Sequence, residues 1–159
     1  MANDTVHVLI ARLGLEPLPH EGGFFRQTWR NDTASAILFL MTPRDFSALH
    51  AIAQDEVWHF HAGDPIEHMQ LDSQTGVIRV TRLGGNLLDG DQPQLVVPAG
   101  VWQGARLDPA AAGAATRGFA LVGCSVSPPW DEHGFVLGSR TALTRAFPAE
   151  AARIAALTR

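Results

Sequence analysis

The stretch "ALHAIAQDEVWHFHAGDP", residues 48–65, holds three histidines (His50, His59, His61) and three carboxylates (Asp55, Glu56, Asp64). Imidazoles and carboxylates side by side serve two chemistries. They ligate divalent metals, and they exchange protons with a bound molecule when their pKa values are brought near neutrality. Strand periodicity decides which of them act together. Side chains in a strand alternate faces, so Glu56, Trp58 and Phe60 share one face while Val57, His59 and His61 share the other. The three histidines therefore do not converge with Glu56 on one ion unless a bulge breaks the alternation. His59 and His61, at i and i+2, have the spacing of two ligands to one metal, but no third ligand joins them. The alternative for this pair is a polar outer sheet face or a dimer seam.

A second stretch, "FFRQTWR", alternates in the same way, with Phe25, Gln27 and Trp29 on one side and Phe24, Arg26 and Thr28 on the other. If the Arg26–Thr28 face is turned inward, Arg26 offers a planar fork to a carboxylate or phosphate. If it is turned outward, Arg26 is a surface cation paired with an acid. Trp58, Phe60 and Trp102 are core aromatics by default, and at the mouth of a pocket they stack on a sugar or a planar ligand.

The elements that must position these groups are short. Asn3 or Asp4 is placed to cap a first helix in which Val6, Leu9, Ile10 and Leu13 recur at i, i+3, i+4 and i+7, and Gly14 is placed to end it. From Gly23 onward the texture is of about nine short strands: "FFRQTWR", "SAILFLMT", "FSALHAI", "VWHFHA", "IEHMQL", "VIRVTRL", "QLVVP", "VWQGARL" and "GFALVGCSV". Gly, Pro and Asp clusters separate them. Regular short strands with few helices predict an all-β sandwich or barrel. The tail returns to helix around Leu143 and Phe147, with Pro148 suited to open a last helix, "PAEAARIAAL". "DPAAAGAAT", residues 108–116, reads as a surface hairpin loop.

Composition bounds the partners. The 159 residues fit one domain, 1–159, without linker or repeat. A net charge of −4, no lysine and no run of arginines exclude a nucleic-acid surface, which needs clustered cations. No stretch reaches the ~18 consecutive apolar residues of a membrane span. Cys124 is the single cysteine, and with a polar N-terminus it predicts a cytoplasmic protein in which Cys124 is a small buried thiol.

Four ordered blocks carry a resemblance: "HEGGFFRQTWR" (20–30), "FSALHAIAQDEVWHFHAGDP" (46–65), "PQLVVPAGVWQGARL" (93–107) and "FALVGCSVSPPW" (119–130). Together they resemble the cupin superfamily and, within it, the small single-domain cupin-5 or DUF985 group. The resemblance implies an all-β double-stranded β-helix, or jelly-roll barrel, with a short N-terminal helix and a C-terminal helical tail, paired as a homodimer around a small-molecule ligand. It also implies where a metal would sit. Of the four positions that usually ligate, the first is Ala48 here and the last is Gln103, leaving His50 and Glu56. One imidazole, one carboxylate and one amide oxygen hold a transition metal poorly, so the expectation is no cofactor or a weakly held divalent metal on His50, Glu56 and Gln103.

Without a metal, His50 and Glu56 are the candidate catalytic acid/base pair, with Arg26, Thr28, Trp58, Phe60 and Gln103 as candidate ligand contacts. Burial raises a carboxyl pKa and lowers an imidazole pKa, while mutual proximity does the reverse. Three functions stay open. One is a ligand-binding cupin with isomerase- or epimerase-like proton transfer on a sugar-like or acidic ligand; the absence of tyrosine excludes a copy of the His/Tyr pair of sugar-nucleotide epimerases. The second is a metal-dependent oxygenase or isomerase, and the third a non-catalytic ligand-binding or storage-like dimer.

Overall fold

The computed structural model describes residues 2–111 and 116–159, and side chains from residue 4 onward. The side chain of the proposed cap Asn3 and residues 112–115 of the 108–116 loop lie outside what is described. The chain runs α1 (Ala2–Leu13), β1 (Glu16–Pro17), β2 (Phe24–Arg30), β3 (Ser35–Met41), β4 (Ser47–Ala51), β5 (Asp55–Gly63), β6 (Ile66–Leu71), β7 (Ile78–Leu83), β8 (Gln94–Val97), β9 (Trp102–Leu107), β10 (Ala120–Ser127), β11 (Val136–Leu137), α2 (Arg140–Ala146) and α3 (Ala151–Ala156). Two sheets form, in the orders β1-β2-β3-β10-β5-β8 and β11-β4-β9-β6-β7. Every pairing between these strands is antiparallel, as expected where each sheet buries one face and covers the other only partly.

Alternation in each strand sorts side chains into three apolar layers. Between the sheets lie Phe39, Met41, Trp58, Ile66, Leu95, Val97, Ala105 and Val122. The outer face of the second sheet presents Leu49, Met69 and Leu71, which α2 and α3 cover with Leu143, Ile154 and Leu157. The outer face of the first sheet presents Phe24, Leu38 and Leu40 to α1, which contributes Val6, Leu9, Ile10 and Leu13. The helices are thus coverings for faces that the strand period makes apolar on both sides, as the continuous run of "SAILFLMT" requires.

The helix ends follow local chemistry. α1 begins before Asp4, which sits in its first turn rather than capping it, where a carboxylate still favours the positive end of the helix dipole. Its C-terminus closes with Leu15 N–H bonded to Ile10 O at 2.9 Å and Gly14 N–H to Ala11 O at 3.4 Å, with Gly14 at φ +61°. This is the left-handed glycine stop that the sequence predicts. Pro148 opens a short 3-10 turn before α3, so the last helix is shorter than "PAEAARIAAL". Among the described residues no helix is long and apolar enough to cross a membrane.

Candidate functional site

The inward layer is not apolar throughout. An open cavity of about 650 Å³ enters the barrel between the sheets, and His50, Glu56, Trp58, Glu21 and Cys124 line it with Phe135. The connection from β1 to β2 builds one wall. Here His20 has φ +65°, a left-handed conformation uncommon outside glycine, in a three-residue turn closed by Glu21 N–H to Pro19 O at 2.7 Å. Gly23 follows at φ +74°, and a Cβ on it would lie 2.7 Å from the Phe39 ring and 2.9 Å from Leu40 O. The loop therefore lies flat on β3 only with glycine there. Strain of this kind persists where the surroundings over-determine it. The Glu21 carbonyl accepts Ala48 N–H at 2.9 Å and the Arg159 guanidinium at 2.7 Å. Its carboxylate accepts the Ser47 hydroxyl at 2.6 Å and lies 3.9 Å from His50 Nδ1.

His50 comes from β4 and Glu56 from β5, on opposite sheets. They face each other across the barrel rather than standing on neighbouring strands. His50 is 4% exposed, stacks on Phe135 with ring centroids 5.3 Å apart, and has Nδ1 2.7 Å from Ala48 O. A carbonyl only accepts, so Nδ1 carries the hydrogen, and a neutral ring then offers Nε2 as a bare acceptor. Glu56 is 8% exposed. Burial pushes its carboxyl above the ordinary carboxylate range, against the pull of His50 and of the Gln103 and Trp58 hydrogen-bond donors.

Gln103 joins this pair from β9 without lining the cavity. It is fully buried, opposite His50 on one side and Gln70 on the other. The Trp58 indole N–H donates to its Oε1 at 2.9 Å, and its Nε2 donates to Glu56 Oε2 at 2.5 Å. Because an indole can only donate, Trp58 fixes which end of the amide meets Glu56. The proposed metal set fails on this chemistry. The amide oxygen is already engaged by Trp58, which leaves His50 and Glu56, and among the described residues no three His, Cys, Asp or Glu side chains are placed to hold one ion.

The remaining candidates separate. Arg26 and Thr28 lie on the outer side of β2. Arg26 runs along the end of α1, near Gly14, and the Thr28 hydroxyl donates to Ala36 O at 3.2 Å. Their face is thus the outward one, and Phe25 and Gln27 line the cavity instead. The acidic-ligand fork is lost with Arg26. Phe60 points inward but at the other end of the barrel, against Gly85. Trp102 packs in the outer layer under α2 and α3. His59 is tied to the Ser125 hydroxyl at 2.9 Å and to Gln94 at 2.7 Å, while His61 occupies a bulge over Gly123. Cys124, buried, faces Glu56, and burial first, then the nearby carboxylates, push its thiol well above the ordinary range.

Two residues were missed. Glu21 stands inside the quoted "HEGG" stretch, but nothing in its spacing ties it to a residue 29 positions away. His68 on β6 shows an inward position by alternation with Ile66 and Gln70, yet an isolated inward histidine gives no further signal. It is fully buried, packs edge-to-face on Trp58 at 4.8 Å, and neither ring nitrogen has a hydrogen-bond partner. Gln103 lies near and favours the charged ring slightly, but both ends of its amide are committed elsewhere. Burial dominates and holds the His68 pKa down to about 3.

Between the ordinary histidine pKa near 6.5 and about 3, the unfolded chain binds a proton that the folded His68 refuses, so stability falls as pH drops through that window. From pH 6.5 to 4 the loss from this residue is about 3 kcal/mol at ~1.4 kcal/mol per unit. Urea titrations across that range should show His68→Leu losing less stability than the unsubstituted chain by about this amount. Parallel pH profiles would contradict the buried neutral ring.

The family model of the cupin superfamily (DUF985) matches residues 7–138. A hypothetical protein from Leishmania major is 30% identical, with a TM-score of 0.85 over 96% of this chain and 97% of its own. A structural-genomics protein from Shewanella oneidensis is 33% identical, with a TM-score of 0.84 over 96% of each chain. Oxalate decarboxylase from Bacillus subtilis shares the fold alone, at 11% identity and a TM-score of 0.59, over 37% of that chain. No curated protein matches the chain. The jelly-roll sheets, the ordered motif blocks and the family match over most of the length agree: the chain belongs to the DUF985 family of the cupin superfamily.

Proposed function

We propose that the protein binds a polar small molecule in the barrel cavity and moves a proton on it, in the manner of an isomerase or epimerase. The observation that carries this reading is Glu56, a carboxyl 8% exposed whose pKa burial raises, lining the same cavity as His50. Groups whose environments push them toward neutrality suit general acid/base work. His50 Nε2, bare in the neutral ring, takes the proton from the ligand. Glu56 in its protonated form returns one from the facing sheet. Gln103 donates to the other Glu56 oxygen and so orients the carboxyl toward the cavity. Trp58, Phe25 and Phe135 supply flat apolar walls on which a ring or carbon skeleton lies.

Proton transfer leaves a label. Small-molecule extract incubated with the protein in D2O should contain one compound that gains about one mass unit per exchangeable C–H, read by mass spectrometry. His50→Ala and Glu56→Gln should each lower the exchange rate by roughly 100-fold or more, the usual weight of a positioned acid or base. Exchange unaffected by both substitutions would reject the pair. Glu56→Gln keeps the side-chain volume and an acceptor for Gln103, so the melting temperature should barely change.

We also read the molecule as a homodimer. β1 covers only Phe24 and Phe25 of β2, which leaves the edge of β2 from Arg26 onward unpaired, and Trp29 is 50% exposed there. An uncovered edge with an exposed indole favours pairing with a second copy. Light scattering at micromolar concentration should give twice the mass of one 17.1 kDa chain; a monomer mass would exclude this interface.

A further inference from the structure

We infer that the ligand of the barrel cavity carries an ammonium group, seated among His50, Glu56 and Glu21. This deepens the binding reading above and rests on it, but does not depend on proton transfer. The floor of the cavity is made of acceptors. His50 uses its Nδ1–H on Ala48 O, and its Nε2 has no partner among the described residues although the side chain is 5% exposed. Glu56 receives Gln103 on Oε2, and the Trp58 indole and Cys124 thiol lie within hydrogen-bonding reach of the same carboxyl. Glu21 receives Ser47 on Oε1, leaving Oε2 without a donor. Of the donors beside these three side chains, the Trp58 indole is directed to Gln103, the Gln103 amide to Glu56 and the Ser47 hydroxyl to Glu21, while His20 and Gln27 stand elsewhere in the lining. A ligand group seated between His50 Nε2 and Glu21 Oε2 must therefore bring hydrogens. An ammonium brings three and no acceptor.

Charge points the same way. Glu16 and Glu132 add two more carboxylates toward the rim, and no arginine lines the cavity. The two guanidiniums nearby are turned to backbone and to acids: Arg30 donates to Trp130 O at 2.7 Å, and Arg159 to Glu21 O while pairing with Asp45 at 3.5 Å. Trp58, Phe25, Phe135 and Trp130 surround the acids, and aromatic faces attract a cation as well as a carbon skeleton. An acidic ligand meets no arginine here and has only His20, Gln27, Ser35, Cys124 and Trp130 as donors in the lining. A neutral polyol can supply donors but leaves the negative field uncompensated.

Three probes of nearly equal shape separate these cases: 2-phenylethylamine, 2-phenylethanol and phenylacetate, titrated into the full-length protein by calorimetry at pH 7. The amine should bind at least about tenfold tighter than the alcohol, with phenylacetate weakest. Glu21→Gln should reduce the amine-to-alcohol ratio several-fold, by weakening the amine more than the alcohol. If the alcohol or the acid binds as well as the amine, the ammonium assignment is wrong while the cavity remains a binding site. If none of the three binds, the binding reading itself fails. The comparison on the unsubstituted protein decides the matter even if Glu21→Gln does not fold.

Discussion

Glu56 sets the terms for the inside of this barrel. A carboxylate taken out of water loses several kcal/mol unless it is neutralised or hydrogen-bonded. Here the compensation comes from His50 across the barrel and from the Gln103 and Trp58 donors. Gln103 donates to Glu56, and Trp58 holds that amide in the donating orientation. Trp58 in turn needs the inward register of β5, which antiparallel pairing with β8 and β10 fixes through Trp58↔Leu95 and Trp58↔Cys124. A one-residue slip would turn Glu56 outward and bring Val57 in. The sheet register and the site chemistry are therefore one constraint. His68 is a side effect of the same packing: an imidazole enclosed against Trp58 with no donor or acceptor left to meet it.

The two sheets divide the work. The first supplies Glu56 and Cys124 together with the aromatic wall of β2 and β3. The second supplies His50 and the buried Gln103. Outside them, α1 and the α2–α3 pair bury apolar faces and leave the cavity mouth to the β1–β2 loop and the segment around Trp130 and Phe135. Catalytic and binding groups carried on strands are held more firmly than groups on loops. Glu21 is the exception, and its loop is fixed by Ala48, Ser47 and Arg159.

The strands, their inward faces and the helix stop at Gly14 were legible because alternation and the chemistry of glycine act locally. β1 and β11 were not, since two residues carry no period. Glu56, Trp58 and Phe60 face inward as alternation predicts, but sequence gives no depth along the strand, so Phe60 ends at the far end of the barrel and Gln103 behind the cavity wall. The face of "FFRQTWR" could not be chosen from its own residues, because Arg26 is as good on a surface as in a pocket. The packing of Phe24 against α1 chooses it. Glu21 and His68 depend on pairings between distant segments, which no local pattern encodes. Of the two only Glu21 lines the cavity, where it adds a carboxylate beside His50.

The linkage of Glu56 to Gln103 can be measured on one atom. A carbon-13 NMR titration of the Glu56 side-chain carboxyl should give a pKa above 4.5 in the unsubstituted protein, because burial outweighs the hydrogen bonds. In Gln103→Leu it should rise further, since the lost donor favoured the charged form. A pKa at or below 4.5, or one that Gln103→Leu leaves unmoved, would contradict the account.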